Sequence, residues 1–232
     1  FDYLIIATGS SPNNFSIKGV EENCYFFNNN EDQRKLKDYL DKSFNDNIKK
    51  DLFIIGGGPS GVELACKIYD TYEKRFKINI IESEGGILGK SKAYNREEAE
   101  KAIQLREINL LLNTTVQEIS TNQIKIYNKL GQNFKKHDAV IWTAGVKPNI
   151  TMFSHDIKKI NNRIVVNKML QLTHFENVFA IGDVAIVEKD SNLPITAQVA
   201  MQQGKHVADN LHSLINKFTL LPFEFKDNGE MI

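Results

Sequence analysis

Three glycines and one carboxylate carry the densest chemistry in this sequence. Gly56, Gly58 and Gly61 are spaced G-x-G-x-x-G, and Glu82 stands about 20 residues further on. That spacing suits a dinucleotide. Gly56 makes a tight turn, Gly58 leaves a pyrophosphate room to approach the backbone, and Gly61 lets the following helix pack close to the preceding strand. Pro59 and Ser60 complete the turn, and a proline at a helix start gives up only an N–H that has no helical partner. The free N–H groups and positive dipole end of that helix favour phosphate. Glu82 can accept both ribose hydroxyls of NADH and would repel the 2′-phosphate of NADPH, although Lys90 and Lys92 are cations able to reach such a phosphate. Glu63, two residues past Gly61, is open to two readings. It is either a carboxylate favoured by the first helical turn or a group near the nicotinamide end of the nucleotide.

The surrounding elements must position these residues. Residues 52–55 form a continuous apolar run, read as a buried strand, and residues 62–72 form a helix with Val62, Leu64, Ala65, Ile68 and Tyr69 on its apolar side. Residues 78–81 are a second strand that ends at Glu82. Upstream, the strand at 3–7 runs into a turn cluster at 8–14. A surface helix spans 31–44, and 45–50 is a connector. Downstream come a helix at 93–106, a strand at 109–112, and antiparallel strands at 115–119, 123–127 and 133–136 with Gly131 in a turn. A buried strand at 138–142 stops at Thr143-Ala144-Gly145. Strands at 163–166 and 177–181 follow, the second ending in Gly182-Asp183. A helix at 196–217 places Ala200, Gly204, Val207, Leu211, Leu214 and Phe218 on one face, and 222–232 is extended. The βαβ theme is expected twice.

Composition narrows the function class. The chain has 232 residues, with 29 Lys+Arg against 29 Asp+Glu, so its formal net charge is +0. That balance argues against a basic nucleic-acid surface. No apolar run reaches the ~20 residues of a membrane span. Cys24 and Cys66 form no CxxC and no metal-ligand spacing, which fits a reducing compartment. His155, His174, His206 and His212 have no ligand spacing either, so no metal site is expected. Trp142 and Phe179 are read as packing residues. The start at Phe1-Asp2-Tyr3 carries no signal peptide and no Met, so the sequence is expected to begin inside a longer one.

Four motifs in order carry a resemblance: Ala7-Thr8-Gly9, the Gly56–Ala65 stretch, Thr143-Ala144-Gly145 and Ala180-Ile181-Gly182-Asp183. Together they resemble the two-dinucleotide-domain flavoprotein disulfide reductase superfamily. Val140 to Asn149 and Ala197-Gln198-Val199-Ala200-Met201-Gln202-Gln203-Gly204 are similar to type II NADH dehydrogenases. Val62 to Lys67 and Asn95-Arg96-Glu97 look most like the demethylphylloquinone-reductase branch of cyanobacteria and plastids.

The resemblance implies an α/β fold in which an NAD(P)H-binding Rossmann-like domain, residues 48–145, is inserted in an FAD domain split between 1–47 and 146–232. It implies FAD and NADH or NADPH as cofactors and a quinone as partner. Thr8, Gly9, Ala144, Gly145, Gly182, Asp183, Ala197 and Gln198 would then join Gly56, Gly58, Pro59, Ser60, Gly61, Glu63 and Glu82 around the cofactors. Asp183 would bind the FAD ribitol. Gln198, Gln202 and Glu63 would serve catalysis, the two glutamines by hydrogen-bonding quinone carbonyls. The FAD domain's own glycine motif would lie upstream of Phe1 and a membrane-anchoring part downstream of Ile232. These residues alone are therefore expected to bind NADH but little flavin. A peripheral place on the cytoplasmic side of a thylakoid or plasma membrane goes with this resemblance. A disulfide reductase and a nucleotide-binding redox sensor without turnover remain the alternatives.

Overall fold

A computed structural model describes residues 1–45, 48–150, 157–188 and 193–230. The centre of the expected connector, 46–47, and His155 lie outside the described residues. In chain order the elements are β1 (Leu4–Ile6), β2 (Ser10–Pro12), α1 (Val20–Asn23), β3 (Cys24–Phe26), α2 (Asn30–Asn45), β4 (Lys50–Ile55), α3 (Pro59–Tyr72), β5 (Phe76–Ile81), α4 (Ala93–Leu105) and β6 (Asn109–Leu111). They continue with β7 (Thr115–Ile119), β8 (Gln123–Asn128), β9 (Gly131–Lys136), β10 (Ala139–Trp142), β11 (Val146–Pro148), β12 (Lys159–Ile160), β13 (Arg163–Val166), β14 (Gln171–Leu172), β15 (Phe175–Ala180), β16 (Ala185–Val187) and α5 (Ala197–Ile215). Two compact units result. One joins Phe1–Ser11 to Val146–Gly229, and the other holds Pro12–Gly145 with Glu230.

The Pro12–Gly145 unit has three layers. Its centre is a parallel sheet in the order β3-β10-β4-β5-β6. Side chains alternate between the two faces of a strand, and in β4 both sets are apolar. Leu52 and Ile54 join the core with α2, α3 and α4, where Leu36, Leu40, Val62, Ala65, Ile68 and Ile103 are buried. Phe53 and Ile55 meet Ile119, Ile124 and Ile126 of the antiparallel sheet β7-β8-β9. A sheet covered on both faces explains the unbroken apolar runs read from the sequence.

Residues 12–45 pack in the same compact unit as residues 48–145. β3 pairs in parallel with β10, and α2 packs on the same core. A four-residue helix followed by a three-residue strand is too short to show a period.

The other unit is a mixed sheet, β1-β15-β14-β13-β12, with β16 on β13. β1 runs parallel to β15, with Ile6 opposite Ala180. β13 runs parallel to β16, and the pairs of β14 are antiparallel. Ile6, Ile164, Val166, Phe179, Val184 and Val207 form its core. The βαβ theme expected twice from sequence occurs in the Pro12–Gly145 unit, as β4-α3-β5 and β5-α4-β6. No helix among the described residues is long and apolar enough to cross a membrane.

Candidate functional site

In the Pro12–Gly145 unit the carboxyl ends of β4, β5 and β10 open into one cavity of about 460 Å³. The glycine turn forms one wall. Gly56 adopts φ +112°, a region that L side chains rarely enter, and its N–H donates to Ile81 O at 2.9 Å. Gly58 caps α3, and a Cβ placed on it meets nothing within 4 Å. A Cβ on Gly61 would fall 2.0 Å from Gly56 O and 2.9 Å from Thr143 Oγ1. The three glycines thus stand where a turn, an open approach and a close helix–strand contact need them. Pro59, Ser60 and Gly61 form the first turn of α3, which has no side-chain cap and no acidic residue. Its first N–H groups therefore lack helical acceptors.

Glu82 is held from three sides. Its Oε2 accepts the Gly57 N–H at 2.6 Å. Its Oε1 accepts the Ser83 hydroxyl at 2.9 Å and the Glu84 N–H at 2.9 Å. An ionised carboxylate has about four acceptor directions, so a ribose that takes two of them must displace the Ser83 hydroxyl. Ala144 and Gly145 line the same cavity, as do Phe15, Ser83, Thr114 and Val116, which the sequence reading did not select. The signal that could have found them is the rule that ligands lie beyond the carboxyl ends of parallel strands. Trp142 is buried, and its Nε1–H donates to Asn13 O at 2.9 Å, in keeping with a packing role.

Glu63 is not brought to this cavity. Because α3 starts at Pro59, Glu63 lies beyond the first turn, which weakens the helix-dipole reading. It is exposed and lines a separate groove of about 410 Å³ with Cys66, Tyr94, Asn95 and Glu98. Lys90 lines another hollow beside Arg96. The Lys92 N–H donates to Glu230 Oε2 at 3.1 Å.

In the other unit, Thr8-Gly9 and Gly182-Asp183 follow the paired strands β1 and β15. Ile181 N–H donates to Ile6 O at 3.0 Å, so the two turns start side by side. Asn149 locks the first turn. Its carbonyl accepts the Thr8 hydroxyl at 2.7 Å, its side-chain amide donates to Thr8 O at 3.0 Å, and its N–H donates to Gly9 O at 2.9 Å. A Cβ on Gly9 meets nothing within 4 Å. Asp183 Oδ2 accepts the Ser10 hydroxyl at 2.6 Å. Burial lowers the pKa of Arg163, an effect that the nearby Asp183 charge opposes, and the Arg163 Nε is buried without a partner.

Helix α5 starts at Ala197 behind the Thr196 cap, whose Oγ1 accepts the Val199 N–H at 3.3 Å. Gln198 and Gln202 do not stand free. Gln202 donates to Lys226 O at 2.8 Å and accepts the Lys226 N–H at 3.0 Å. Gln198 donates to Gly229 O at 3.2 Å and accepts the Asn228 N–H at 3.1 Å. Cys24 and Cys66 are both free thiols. Burial pushes Cys24 up to about 12 and raises Cys66, so neither is poised as a thiolate. Among the described residues no group of three His, Cys, Asp or Glu side chains could hold a metal ion.

A family model described as pyridine nucleotide-disulphide oxidoreductase matches residues 1–204. The chain is 33% identical over 241 residues to demethylphylloquinone reductase of Synechocystis, covering 100% of this chain and 58% of that protein. It is 29% identical over 273 residues to type II NADH:quinone oxidoreductase of Haemophilus influenzae, covering 100% of this chain and 60% of that protein. The chain thus spans about three fifths of the length of these curated relatives. NDH2 from Plasmodium falciparum, solved in complex with NADH, superposes with a TM-score of 0.85 at 20% identity, over 99% of this chain and 67% of that one. At that identity the likeness is one of fold alone, an α/β architecture.

Proposed function

The chain belongs to the pyridine nucleotide-disulphide oxidoreductase family, and from that premise we propose that it handles nucleotide and flavin in a type II NAD(P)H:quinone oxidoreductase. The observation that carries this reading is the cavity of the Pro12–Gly145 unit. There Gly58, at the uncapped start of α3, lines the same space as a carboxylate already aimed by main-chain N–H groups. Phosphate suits the first, and ribose hydroxyls suit the second. Among the described residues no Lys or Arg lines that cavity, and Lys90 lines another hollow; with no cation there to offset Glu82, NADH is favoured over NADPH. The match to Synechocystis demethylphylloquinone reductase exceeds that to the Haemophilus enzyme by little, and we place the chain at the level of the type II group.

The features of the other unit fit a flavin. Gly9 is open to a close approach, and Asp183 presents Oδ1 with no hydrogen bond from the described residues, suited to a ribityl hydroxyl. Asn149 and Ser10 hold these two turns. When bound, the flavin would accept a hydride from the nicotinamide and deliver two electrons to a quinone. Ala197 opens the helix whose N-terminus favours negative charge nearby. Gln198 and Gln202 each keep one N–H and one acceptor direction beyond those spent on residues 226–229, enough to bond a quinone carbonyl. Glu63 is assigned to the nicotinamide end on resemblance alone. A peripheral place at a quinone-containing membrane belongs to the same proposal. Nothing in the arrangement favours disulfide exchange, since neither thiol is activated.

The test is steady-state oxidation of NADH with a quinone acceptor in the full-length protein, alongside the rise in melting temperature on adding NADH. A protein that neither turns over nor gains stability from NADH or NADPH refutes the reading. Stabilisation without turnover would favour the sensor.

A further inference from the structure

We propose that Gln203 is a positioning residue for the Gly182–Asp183 turn, holding the Asp183 carboxylate in place for a flavin; the proposal rests on the reading of that turn given above. Helix α5 has two polar sides with different work. Gln198, Gln202, His206 and Asn210 recur every four residues and bond the main chain of residues 221–229. Gln203 stands apart from that row. It is 2% exposed and lies at helical spacing between Val199 and Val207, both buried. A glutamine on an apolar stripe is costly unless its amide is bonded. Here Oε1 accepts the Gly182 N–H at 2.7 Å.

The bond falls on a vulnerable point. Gly182 takes φ +71° and has no side chain to lock the turn, so its course depends on what its own polar groups bond. Beyond it, Ser10 pins Asp183 by Oδ2 alone. With the main chain fixed by Gln203 and one carboxylate oxygen fixed by Ser10, the direction of Oδ1 is set. Loss of the Gln203 oxygen strands the Gly182 N–H and leaves Asp183 free to swing on Ser10.

The experiment compares wild type, Gln203→Leu and Gln203→Glu in the full-length protein. Leucine suits the apolar stripe but offers no acceptor, whereas glutamate keeps one. In flavin-free protein, hydrogen exchange of the Gly182 amide should rise about tenfold in Gln203→Leu, and flavin should bind about tenfold or more weakly on reconstitution. Gln203→Glu should restore amide protection and most of the flavin affinity. Unchanged exchange at Gly182 in Gln203→Leu overturns the proposal. So does raised exchange with unchanged flavin affinity, and so does an equal flavin loss in both variants, which would mark Gln203 as a packing residue. Asp183→Ala separates the two levels. If it binds flavin as tightly as wild type, the reading of the turn fails, and the positioning role fails with it.

Discussion

Replacing Glu82 by glutamine removes one negative charge from the cavity of the Pro12–Gly145 unit and changes little else in shape. The carboxylate accepts main-chain N–H groups at 2.6 and 2.9 Å on different oxygens. A glutamine has one acceptor oxygen and sets an NH₂ against the other N–H, so about 1 kcal/mol of stability should be lost, or roughly 2–4 °C in melting temperature. The effect on selectivity is larger. A 2′-phosphate about 5 Å away is repelled by ~1 kcal/mol per unit charge in water-like surroundings and by ~3 kcal/mol at the dielectric of a half-buried site. That corresponds to an NADH preference of about 5- to 150-fold. Glu82→Gln should erase a preference of this size, mainly by tightening NADPH rather than by weakening NADH. Dissociation constants for both nucleotides and the ratio of their kcat/KM values measure it. An unchanged ratio, or a wild type that already takes NADPH as readily as NADH, refutes the claim that this carboxylate reads the ribose.

Other perturbations separate the parts of the site. Gly58→Val should fold almost as stably as wild type, since nothing lies within 4 Å of its Cβ, yet lose the NADH-induced rise in melting temperature; a retained shift would show that phosphate does not approach there. Gly61→Ala should instead cost about 1–3 kcal/mol or more of stability, because its Cβ overlaps Gly56 O, and an undiminished melting temperature contradicts that packing. Glu63→Gln should leave NADH affinity within about twofold, as Glu63 is outside the cavity; slower flavin reduction at saturating NADH would support its catalytic assignment, and an unchanged rate would end it. His137 is buried, its Nε2 lies 3.0 Å from Ser120 O, its Nδ1 has no partner, and burial holds its pKa below 6.5. The unfolded chain therefore binds the proton first, so the stability tied to this group is complete above pH 6.5 and is lost as pH falls toward the depressed value. Denaturant melts from pH 7 to 5 should show a shallower decline in His137→Gln, and parallel declines would exclude the histidine as its source.

The Pro12–Gly145 unit is legible in the sequence because burial and residue spacing point the same way there. Residues 52–55 and 78–81 are apolar because both faces of the sheet are covered, and the structure extends them only to Lys50–Ile55 and Phe76–Ile81. The glycine spacing fits a positive φ at Gly56, an open approach at Gly58 and a close backbone contact at Gly61. Other elements left no such trace. β3 and β16 have three residues each and β14 two, shorter than any period can show. The role of Asn149 is not legible in the sequence, since hydrogen bonds across 141 residues leave no local signal.

Helix α5 shows why its side chains were harder to assign than its existence. Of the apolar stripe expected through Ala200, Gly204, Val207, Leu211, Leu214 and Phe218, Val207 is buried, and Leu211 and Leu214 pack against the core. The buried positions are Val199, Gln203, Val207 and Asn210, and Phe218 is exposed beyond the helix end. Two of the four buried residues are amides, and both bond main-chain groups. Asn210 donates to Leu221 O at 3.0 Å and accepts the Leu221 N–H at 3.0 Å, much as Gln202 does with Lys226. Residues 218–230 form no regular element, so their N–H and C=O groups must find partners outside a helix or sheet ladder. An outward row of amides at i, i+4 spacing meets that demand as well as it meets a quinone carbonyl, since both ask for one donor or acceptor at a fixed place. Residue type and spacing therefore identify which side chains can form such bonds. Which group receives them depends on where the rest of the chain leaves unpaired backbone, and for Gln198 and Gln202 that backbone lies more than twenty residues away in sequence.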